Sequence, residues 1–348
     1  MYLRIESLAV RFPSLKVTNA DLLAQIPDWS PGVPADQVRL YQRQLGHMMA
    51  RSGCETRFFR DRSQQETAIS FILDAARNAI AQAQISTSDI SMLIYCGVGR
   101  GFLEPAMAYF VSEALDIKSE CFDIVDACMS WVRALSIADS FFRQNSYRYI
   151  VILNGEFNIY EAGYPSLLKA DDPDKWRYTF PAFTIGEAAT ATVLSRSADP
   201  WKFHFRSSPS RVALCTLPLA SYRDYSVHPD GLARNGPNNF MSYGAELSQT
   251  AIDEMADFVR LTYADPSQFD LWFPHAASTE ACRISAERLN LGNNLYYDSF
   301  RRYGNLVSAS IPAAINMALQ ENRLTRGSKV VLCPASAGMS FALVDFVY

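Results

Sequence analysis

The chain has 348 residues and a formal net charge of −4, and 49% of its residues are hydrophobic. A single core usually stops growing below this length, so two domains or two closely packed halves are predicted. The weakly acidic balance excludes a charge-driven nucleic-acid surface or a polybasic membrane segment. The seven cysteines lack the spacing of a zinc site or a disulfide framework. The sequence has neither a signal-peptide pattern nor a membrane-length apolar run, so we expect a soluble, cytoplasmic protein without a bound metal.

Apolar strands and amphipathic helices alternate along the chain, in the order typical of parallel sheets covered by helices. The helices are predicted at 64–86 and within 238–264, and the strands at 90–98, 147–156, 183–197, 202–208 and 269–277. This pattern predicts an α/β fold. The second half repeats the alternation of the first, which predicts a diverged duplication with halves at 1–198 and 199–348.

A cysteine lies at a strand-to-helix turn in "CFDIVDACMSWVRA", where the apolar run ends at Asp126-Ala127-Cys128 and a helical pattern begins. At a helix N-terminus, backbone N–H groups and the helix dipole stabilise a thiolate, which predicts a pKa below the usual ~8.5. The same amides can hold an oxyanion. A buried structural cysteine remains the alternative, and a partner base must decide between the two.

Two polar residues in the second half are candidates for that partner. His275, one of four histidines, follows an apolar strand in "LWFPHAAS", where parallel-sheet proteins present catalytic groups. Asn305 in "RRYGNLVSASIP" follows Gly304, which permits a sharp turn, and its amide can donate to a carbonyl oxygen. Each feature alone is compatible with an ordinary structural role.

In this order, the motifs around Cys128, His275 and Asn305, with "FTIGEAATATVL" and "GSKVVLCPASAG", resemble the thiolase-superfamily condensing enzymes, specifically the β-ketoacyl-acyl-carrier-protein synthase III group. The resemblance covers essentially the whole chain and implies a thiolase-like five-layer αβαβα fold. It implies that Cys128 accepts an acyl group, while His275 and Asn305 donate hydrogen bonds to the second substrate's thioester carbonyl. By the same resemblance, the N–H groups of Cys128 and Gly338 form the other oxyanion hole.

Two departures indicate a subgroup. The usual synthase III motif His-Gln-Ala-Asn is replaced by His275-Ala276-Ala277-Ser278. The segment "GRGFLEPAMA" is similar to one in enzymes that join two acyl chains head to head, in long-chain olefin and α-pyrone synthesis. Those enzymes also have serine where Ser278 stands. There the glutamate, here Glu104, enters the partner subunit's active site as the base, so the resemblance implies a homodimer.

Further residues are candidates for contacts with the substrate or its carrier. Trp29 and the arginines Arg57, Arg60 and Arg62 stand where the family contacts the nucleotide or phosphopantetheine arm, although arginines are usually only solvated. Arg223 and Ser278 are candidates for substrate contacts, and Arg301 and Arg302 for an acidic carrier protein. The acyl pocket is predicted to use aromatic residues of a turn-rich segment: Tyr160, Tyr164, Trp176, Tyr178 and Phe180.

The predicted function is a ketosynthase that condenses the acyl group on Cys128 with a second acyl or β-ketoacyl thioester. Its substrates are predicted to be thioesters of coenzyme A or acyl carrier protein, with no other cofactor. Three alternatives remain: a decarboxylating synthase III that uses malonyl carrier protein, an acyltransferase that forms an ester or amide, and an inactive subunit of a heterodimer. A malonyl unit generates its own carbanion by losing CO₂, whereas the acyl or β-ketoacyl thioester needs a base such as Glu104.

Overall fold

The computed structural model describes residues 1–144, 147–157, 164–292 and 294–348, with the side chains of residues 164 and 165 not described. The elements of the first half are β1 (Tyr2–Arg11), β2 (Leu15–Thr18), α1 (Asn19–Gln25), α2 (Ala35–Ser52), β3 (Thr56–Phe59), α3 (Ala68–Gln82), β4 (Ile90–Cys96), α4 (Met107–Ala114), β5 (Glu120–Ile124), α5 (Ser130–Arg143), β6 (Tyr149–Glu156), α6 (Tyr164–Leu168), α7 (Trp176–Thr179) and β7 (Ala188–Ser197).

The second half begins with β8 and ends with the longest strand of its sheet. Its elements are β8 (Lys202–Ser207), β9 (Cys215–Thr216), β10 (Met241–Ser242), α8 (Gly244–Thr262), β11 (Leu271–Pro274), α9 (Thr279–Arg288), α10 (Phe300–Tyr303), α11 (Ser310–Gln320), β12 (Lys329–Cys333), β13 (Ala335–Ser336) and β14 (Ser340–Val347). None of the described helices is both long and apolar enough to cross a membrane.

Two mixed five-stranded sheets form the framework. The first has the order β1-β7-β6-β4-β5, in which β6, β4 and β5 are parallel and β7 is antiparallel to its neighbours β1 and β6. In the second, β14 pairs with β8, β12 and β13, and β12 also pairs with β11 in parallel. The predicted boundary at residue 198 lies between β7 and β8, one strand from each sheet.

Helices cover both sheets and fill the space between them. The apolar faces of α5 and α11 pack between the two sheets in the largest core cluster. Helices α3 and α4 cover the outer face of the first sheet, and α8 and α9 cover the outer face of the second. The order is helix, sheet, helix, sheet, helix, so the predicted five-layer αβαβα fold is confirmed.

Alternating side chains explain why central strands are apolar on both faces. In β12, Val330 and Leu332 belong to the central core, whereas Val331 and Cys333 face α8 and α9. A strand covered by helices on both sides buries every residue, so its sequence reads as a continuous apolar run. This is why the period-2 signal is absent in "KVVLC".

A smaller cluster, formed by β2, β3, α1, α2 and the segment before β7, covers one end of the first half. The cap of α1 is Thr18, whose hydroxyl accepts the Asp21 N–H at 3.2 Å, while the Asp21 carboxylate accepts the Thr18 N–H at 2.8 Å. This reciprocal pair is a capping box. The side chain of the next residue, Asn19, donates to the Cys54 carbonyl at 2.8 Å and so ties α1 to the end of α2.

Candidate active site

One cavity of about 480 Å³ collects the main predicted site residues from both halves of the chain. The first half contributes Cys128 and Glu156, and the second contributes His275 and Asn305. Most of the remaining lining is apolar. The structure therefore brings together the three predicted residues Cys128, His275 and Asn305, of which the first and the last are 177 positions apart in the sequence (128 to 305).

Cys128 lies in a single 3₁₀ turn, Ala127–Met129, that joins β5 to α5. Ala127 has a φ of +45°, a region that residues other than glycine rarely adopt. The Ser130 hydroxyl holds this turn: it donates to the Ala127 carbonyl at 2.7 Å and accepts the Asp126 N–H at 2.8 Å. The predicted strand-to-helix turn is thus observed, with the thiol in the cavity wall.

The pKa of the Cys128 thiol shifts in the direction opposite to the predicted one. Burial raises the pKa of Cys128 well above its ordinary value, and the nearby Cys215 and Glu156 raise it further, while a hydrogen bond from Ser336 opposes the shift. The helix N-terminus was expected to lower this pKa, but removal of the thiolate from water outweighs that effect. The sulfur is therefore a neutral thiol that must lose its proton as it attacks.

His275 follows β11 directly, at the position that the sequence predicted. Burial lowers its pKa to about 4, so the imidazole is neutral at physiological pH. Its Nδ1 atom is buried and has no hydrogen-bond partner among the described residues. A neutral imidazole has one N–H donor and one free acceptor nitrogen, so it can either donate to an oxyanion or receive a proton.

Asn305 is held by three hydrogen bonds to neighbouring backbone. Its N–H donates to the Thr184 carbonyl at 2.8 Å, and its own carbonyl accepts the Gly186 N–H at 3.0 Å. The side-chain Oδ1 accepts the Val307 N–H at 2.8 Å, which leaves the amide NH₂ as the group able to donate to a ligand. Gly304 has a φ of +69°, and a Cβ there would lie 2.2 Å from the Thr184 oxygen.

Gly338 lies between Ala337 and Met339, two residues that line the cavity. Its φ of +124° requires glycine. Within the described part of the chain, neither its N–H nor that of Cys128 donates to a backbone carbonyl. Both groups are thus available as donors, and their joint role as an oxyanion hole stays a prediction.

A buried carboxylate, Glu156, joins the two halves beside the nucleophile. It accepts the N–H groups of Val98 at 3.2 Å and Gly99 at 2.9 Å, and from Ser308 it accepts both the N–H at 3.3 Å and the hydroxyl. The Ser308 hydroxyl in turn accepts a bond from Asn154 at 2.8 Å. Burial raises the pKa of Glu156, and these donors oppose the rise. No local sequence pattern marks Glu156 as a residue that lines the cavity.

Glu104 does not belong to the cavity of its own chain. It lies on an exposed loop after β4, beside Phe102 and Leu103, whose side chains are 50% and 75% exposed. Its role in a second subunit stays a prediction.

The three arginines predicted to contact the substrate or its carrier form ion pairs at the surface. Arg301 lies 2.6 Å from Glu55. Arg302 lies 2.9 Å from Glu321. Arg223 lies 3.7 Å from Asp230. None of these arginines lines the cavity, so their role with a carrier stays a prediction.

The other two carrier predictions have different outcomes. Trp29 is 39% exposed and lies outside the cavity. Ser278 does line the cavity, and its hydroxyl caps α9 by accepting the Ala281 N–H at 3.2 Å and approaches the Ser52 carbonyl at 3.4 Å. Ser278 therefore has a structural role that the sequence comparison did not predict.

Two of the proposed nucleotide-binding arginines are buried instead. Arg57 is fully buried and donates to the Asn19 side chain at 2.7 Å. Arg60 forms a buried ion pair with Glu187 at 3.0 Å. Because these guanidinium groups are enclosed by the protein, the predicted contact of Arg57 and Arg60 with a nucleotide is wrong.

The aromatic prediction is only partly matched by the cavity. Phe180 lines it, whereas Trp176 and Tyr178 do not, and the Tyr178 hydroxyl donates to Asp172 at 2.9 Å. Tyr160 and the side chain of Tyr164 lie outside the described residues. Much of the cavity wall comes instead from α8 and α9, whose apolar positions the sequence could not distinguish from core positions. These are Leu247, Ala251, Ile252, Met255, Ala281, Cys282 and Ile284.

No group of three or more His, Cys, Asp or Glu side chains that could hold a metal ion occurs in the described ranges. The cavity contains a thiol, an imidazole and an amide, with backbone N–H groups beside them. These are the groups needed for acyl transfer through a covalent thioester.

Comparison with known proteins supports this chemistry. Residues 262–346 match the family described as "3-Oxoacyl-[acyl-carrier-protein (ACP)] synthase III C terminal". A β-ketoacyl-[acyl-carrier-protein] synthase III of Serratia proteamaculans is 27% identical over 86% of this chain and 90% of its own length. One from Shigella flexneri serotype 5b is 29% identical over 81% of this chain and 85% of its own length.

Solved structures show the same fold. A cysteine-to-serine variant of Xanthomonas campestris OleA, with bound lauric acid and lauroyl-CoA, superposes with a TM-score of 0.83 at 21% identity. It covers 100% of this chain and 99% of the OleA chain. A glutamate-to-alanine variant of the same protein gives a TM-score of 0.81 at 21% identity, with 100% and 98% coverage.

The fold, the cavity and these relatives together indicate a condensing acyltransferase with a thiolase-like fold. Its C-terminal part matches the synthase III family, and the chain as a whole is similar to β-ketoacyl-[acyl-carrier-protein] synthase III enzymes.

Proposed function

We propose that the protein is a homodimeric ketosynthase that takes an acyl group onto Cys128 and joins it to a second acyl or β-ketoacyl thioester by Claisen condensation. The observation that carries the proposal is the convergence of Cys128, His275 and Asn305 on one mostly apolar cavity. Apolar walls suit acyl chains, and the two side-chain donors suit a thioester carbonyl.

The first half-reaction is a thioester exchange. The sulfur of Cys128 attacks the acyl carbonyl, and a new carbon–sulfur bond replaces the bond to the carrier thiol. The Cys128 proton passes to the free acceptor nitrogen of the neutral His275 and leaves with the carrier thiol. A raised thiol pKa is compatible with this step, because the neutral thiol becomes a nucleophile only when His275 removes its proton.

The second half-reaction forms the carbon–carbon bond. A base removes a proton from the α-carbon of the second thioester, and the enolate oxygen receives hydrogen bonds from His275 and Asn305. The α-carbon attacks the acyl group on Cys128, and the cysteine sulfur leaves and regains a proton. We assign the base to Glu104 of the other subunit.

The exposed loop and its surroundings support this assignment. Glu104 is exposed and does not line the cavity of its own chain, and it is next to the exposed Phe102 and Leu103. Strand β5 forms a ladder with β4 alone in the described part of the sheet, and Val125 at its end is 61% exposed. A free strand edge beside exposed apolar side chains fits a second copy of the chain.

The proposed substrates are thioesters of coenzyme A or acyl carrier protein, so the phosphopantetheine arm arrives with the substrate and no resident cofactor is needed. The similar proteins include an acyl-carrier-protein synthase and a structure with bound lauroyl-CoA, which is consistent with either carrier. The product would be a β-keto or diketo thioester or acid. It fits secondary-metabolite synthesis of the α-pyrone, cyclohexanedione, dialkylresorcinol, stilbene or olefin type.

Glu104→Gln distinguishes this reaction from decarboxylating condensation, the reaction favoured by the names of the sequence relatives. The variant should acylate Cys128 at the wild-type rate but lose turnover with an acyl or β-ketoacyl second substrate. The control is Glu113→Gln, which changes an exposed carboxylate on the adjacent α4. Full activity of Glu104→Gln, or turnover with malonyl carrier protein alone, would refute the mechanism.

Product mass separates condensation from acyl transfer to an alcohol or amine. A new carbon–carbon bond supports the proposal, whereas an ester or amide product would support the acyltransferase. Failure of Cys128 to become acylated by any thioester would instead support an inactive subunit.

A further inference from the structure

The cavity contains a buried tyrosine hydroxyl without a hydrogen-bond partner, and we propose that Tyr296 selects acyl chains that carry an oxygen acceptor, such as a ketone, hydroxyl or ether. This inference rests on the proposed function, in which Cys128 holds the acyl group. It adds the chemical class of that group.

Backbone hydrogen bonds fix the direction of the Tyr296 side chain. The Trp272 N–H donates to the Leu295 carbonyl at 2.7 Å, and the Tyr297 N–H donates to the Trp272 carbonyl at 2.9 Å. Residues 295–297 thus lie as a short parallel neighbour of β11, where successive side chains point to opposite faces. Tyr297 packs in the central core, and Tyr296 faces the α8 and α9 layer.

The ring of Tyr296 is held firmly on that face. It stacks on Trp272 with a centroid distance of 6.0 Å and an interplanar angle of 8°, and only 7% of the residue is exposed. Burial raises its pKa well above the ordinary value, so the group is a neutral phenol at any physiological pH. The hydroxyl therefore keeps its proton and can donate a hydrogen bond to a ligand oxygen.

No described residue forms a hydrogen bond with the Tyr296 hydroxyl. The Cys333 thiol lies beside it, but a thiol is a weak partner for a phenol and the geometry is not that of a hydrogen bond. The adjacent Tyr297 is a useful contrast, because its hydroxyl donates to Glu321 at 2.9 Å. Buried hydroxyl groups are almost always paired, so an unpaired one that lines a ligand cavity indicates a ligand atom.

The cavity that contains Cys128 extends to Tyr296. Along α8 its wall is mostly apolar, with Leu247, Ile252 and Met255, although Ser248 and Gln249 also line it. A plain alkyl chain in this region satisfies the apolar wall but leaves the phenol unpaired. A site that hydrogen-bonds a substrate group discriminates strongly against an analogue without that group. An acyl chain that carries an oxygen acceptor can pack against the apolar wall and also accept a hydrogen bond from the Tyr296 hydroxyl.

The test measures the rate of Cys128 acylation by intact-protein mass spectrometry, which does not require condensation. Matched thioester pairs have the same chain length, and one member carries a ketone or hydroxyl at successive positions along the chain. We expect at least one oxygenated position to acylate about tenfold faster than the alkyl match in the wild-type protein. Tyr296→Phe should reduce this ratio to within about twofold, because it removes one hydrogen bond and keeps the ring.

Tyr297→Phe is the matched control, because it removes a phenol hydroxyl one residue away that faces the opposite core. It should preserve the preference. Equal rates for every pair in the wild type, or an unchanged ratio in Tyr296→Phe, would overturn the inference. Absence of acylation by all thioesters would instead refute the proposed function. Because Tyr296→Phe removes only an unpaired hydroxyl, the variant should fold normally. Thermal unfolding checks this.

Discussion

The side-chain oxygen of Asn305 accepts the backbone N–H of Val307 at 2.8 Å, so the turn itself determines which end of the amide can donate to a substrate. The amide and the backbone N–H that orients it thus belong to residues only two positions apart. The turn is locked in addition by the Thr184 carbonyl, which accepts the Asn305 N–H.

Asn305→Asp is expected to reduce condensation about 10²–10³-fold, because it removes the donor and places a carboxylate near the enolate. The variant retains an oxygen that can accept the Val307 N–H, so the turn is preserved. The measurement compares the kcat of condensation with the separate rate of Cys128 acylation. Equal losses in both steps would show that Asn305 does not act specifically on the second substrate.

The stability of the protein should depend on His275 at acidic pH. Its folded pKa of about 4 lies below the ordinary value of 6.5, so between these values the unfolded state binds more protons. Stability that is fully present above about pH 6.5 is lost as the pH falls towards 4, by on the order of 1–3 kcal/mol.

This pH dependence can be isolated by comparing chemical unfolding of the wild type and His275→Gln from pH 7 to pH 4. The difference between the two curves should shrink as the pH falls. His47→Gln, an exposed histidine on α2, is the control and should leave the slope unchanged. A constant difference across this range would contradict a buried, neutral His275.

Alkylation of Cys128 by iodoacetamide should accelerate about tenfold per pH unit from pH 7 to pH 9 without a plateau, because burial raises the thiol pKa. Peptide-resolved mass spectrometry separates this site from the other cysteines. Cys96 is fully buried and serves as the unreactive internal control. A plateau below pH 8 would mean that the helix terminus outweighs burial after all.

Glu156→Gln is expected to destabilise the protein by about 1–3 kcal/mol. In the variant, an amide NH₂ would replace one of the oxygens that accept backbone N–H groups, and two donors would then face each other. Urea unfolding measures the change. Glu113→Gln on the surface of α4 should stay within about 0.5 kcal/mol of the wild type. Equal stability of the two variants would show that the bonds to Val98, Gly99 and Ser308 contribute little.

Much of the fold could be predicted from alternating apolar patterns, because a strand covered on both faces and an amphipathic helix differ clearly in sequence. The predicted strand at 147–156 is β6, and the helix predicted within 238–264 is α8. Boundaries were less accurate: residues 64–86 were predicted as helix, but α3 spans Ala68–Gln82. Its N-cap is Thr67, whose hydroxyl accepts the Ser70 N–H.

The three central site residues could be found because each follows a strand or turn with its own local pattern. The remainder depends on contacts between distant parts of the chain. Arg301 pairs with Glu55, 246 positions away, which no local pattern reveals. Likewise, the pKa of Cys128 depends on burial by other elements of the fold. The direction of its shift could therefore not be derived from the turn alone.

The Glu156 carboxylate has a consequence for the exchange of backbone hydrogens with solvent. Amides in loops usually exchange quickly, because their hydrogen bonds open without unfolding of the core. The amides of Val98 and Gly99 lie in a loop and that of Ser308 in a single 3₁₀ turn, yet each donates to the one buried Glu156 side chain that both halves share. Their deuterium uptake should therefore be as slow as that of the central strands, and a single substitution at Glu156 should release all three together.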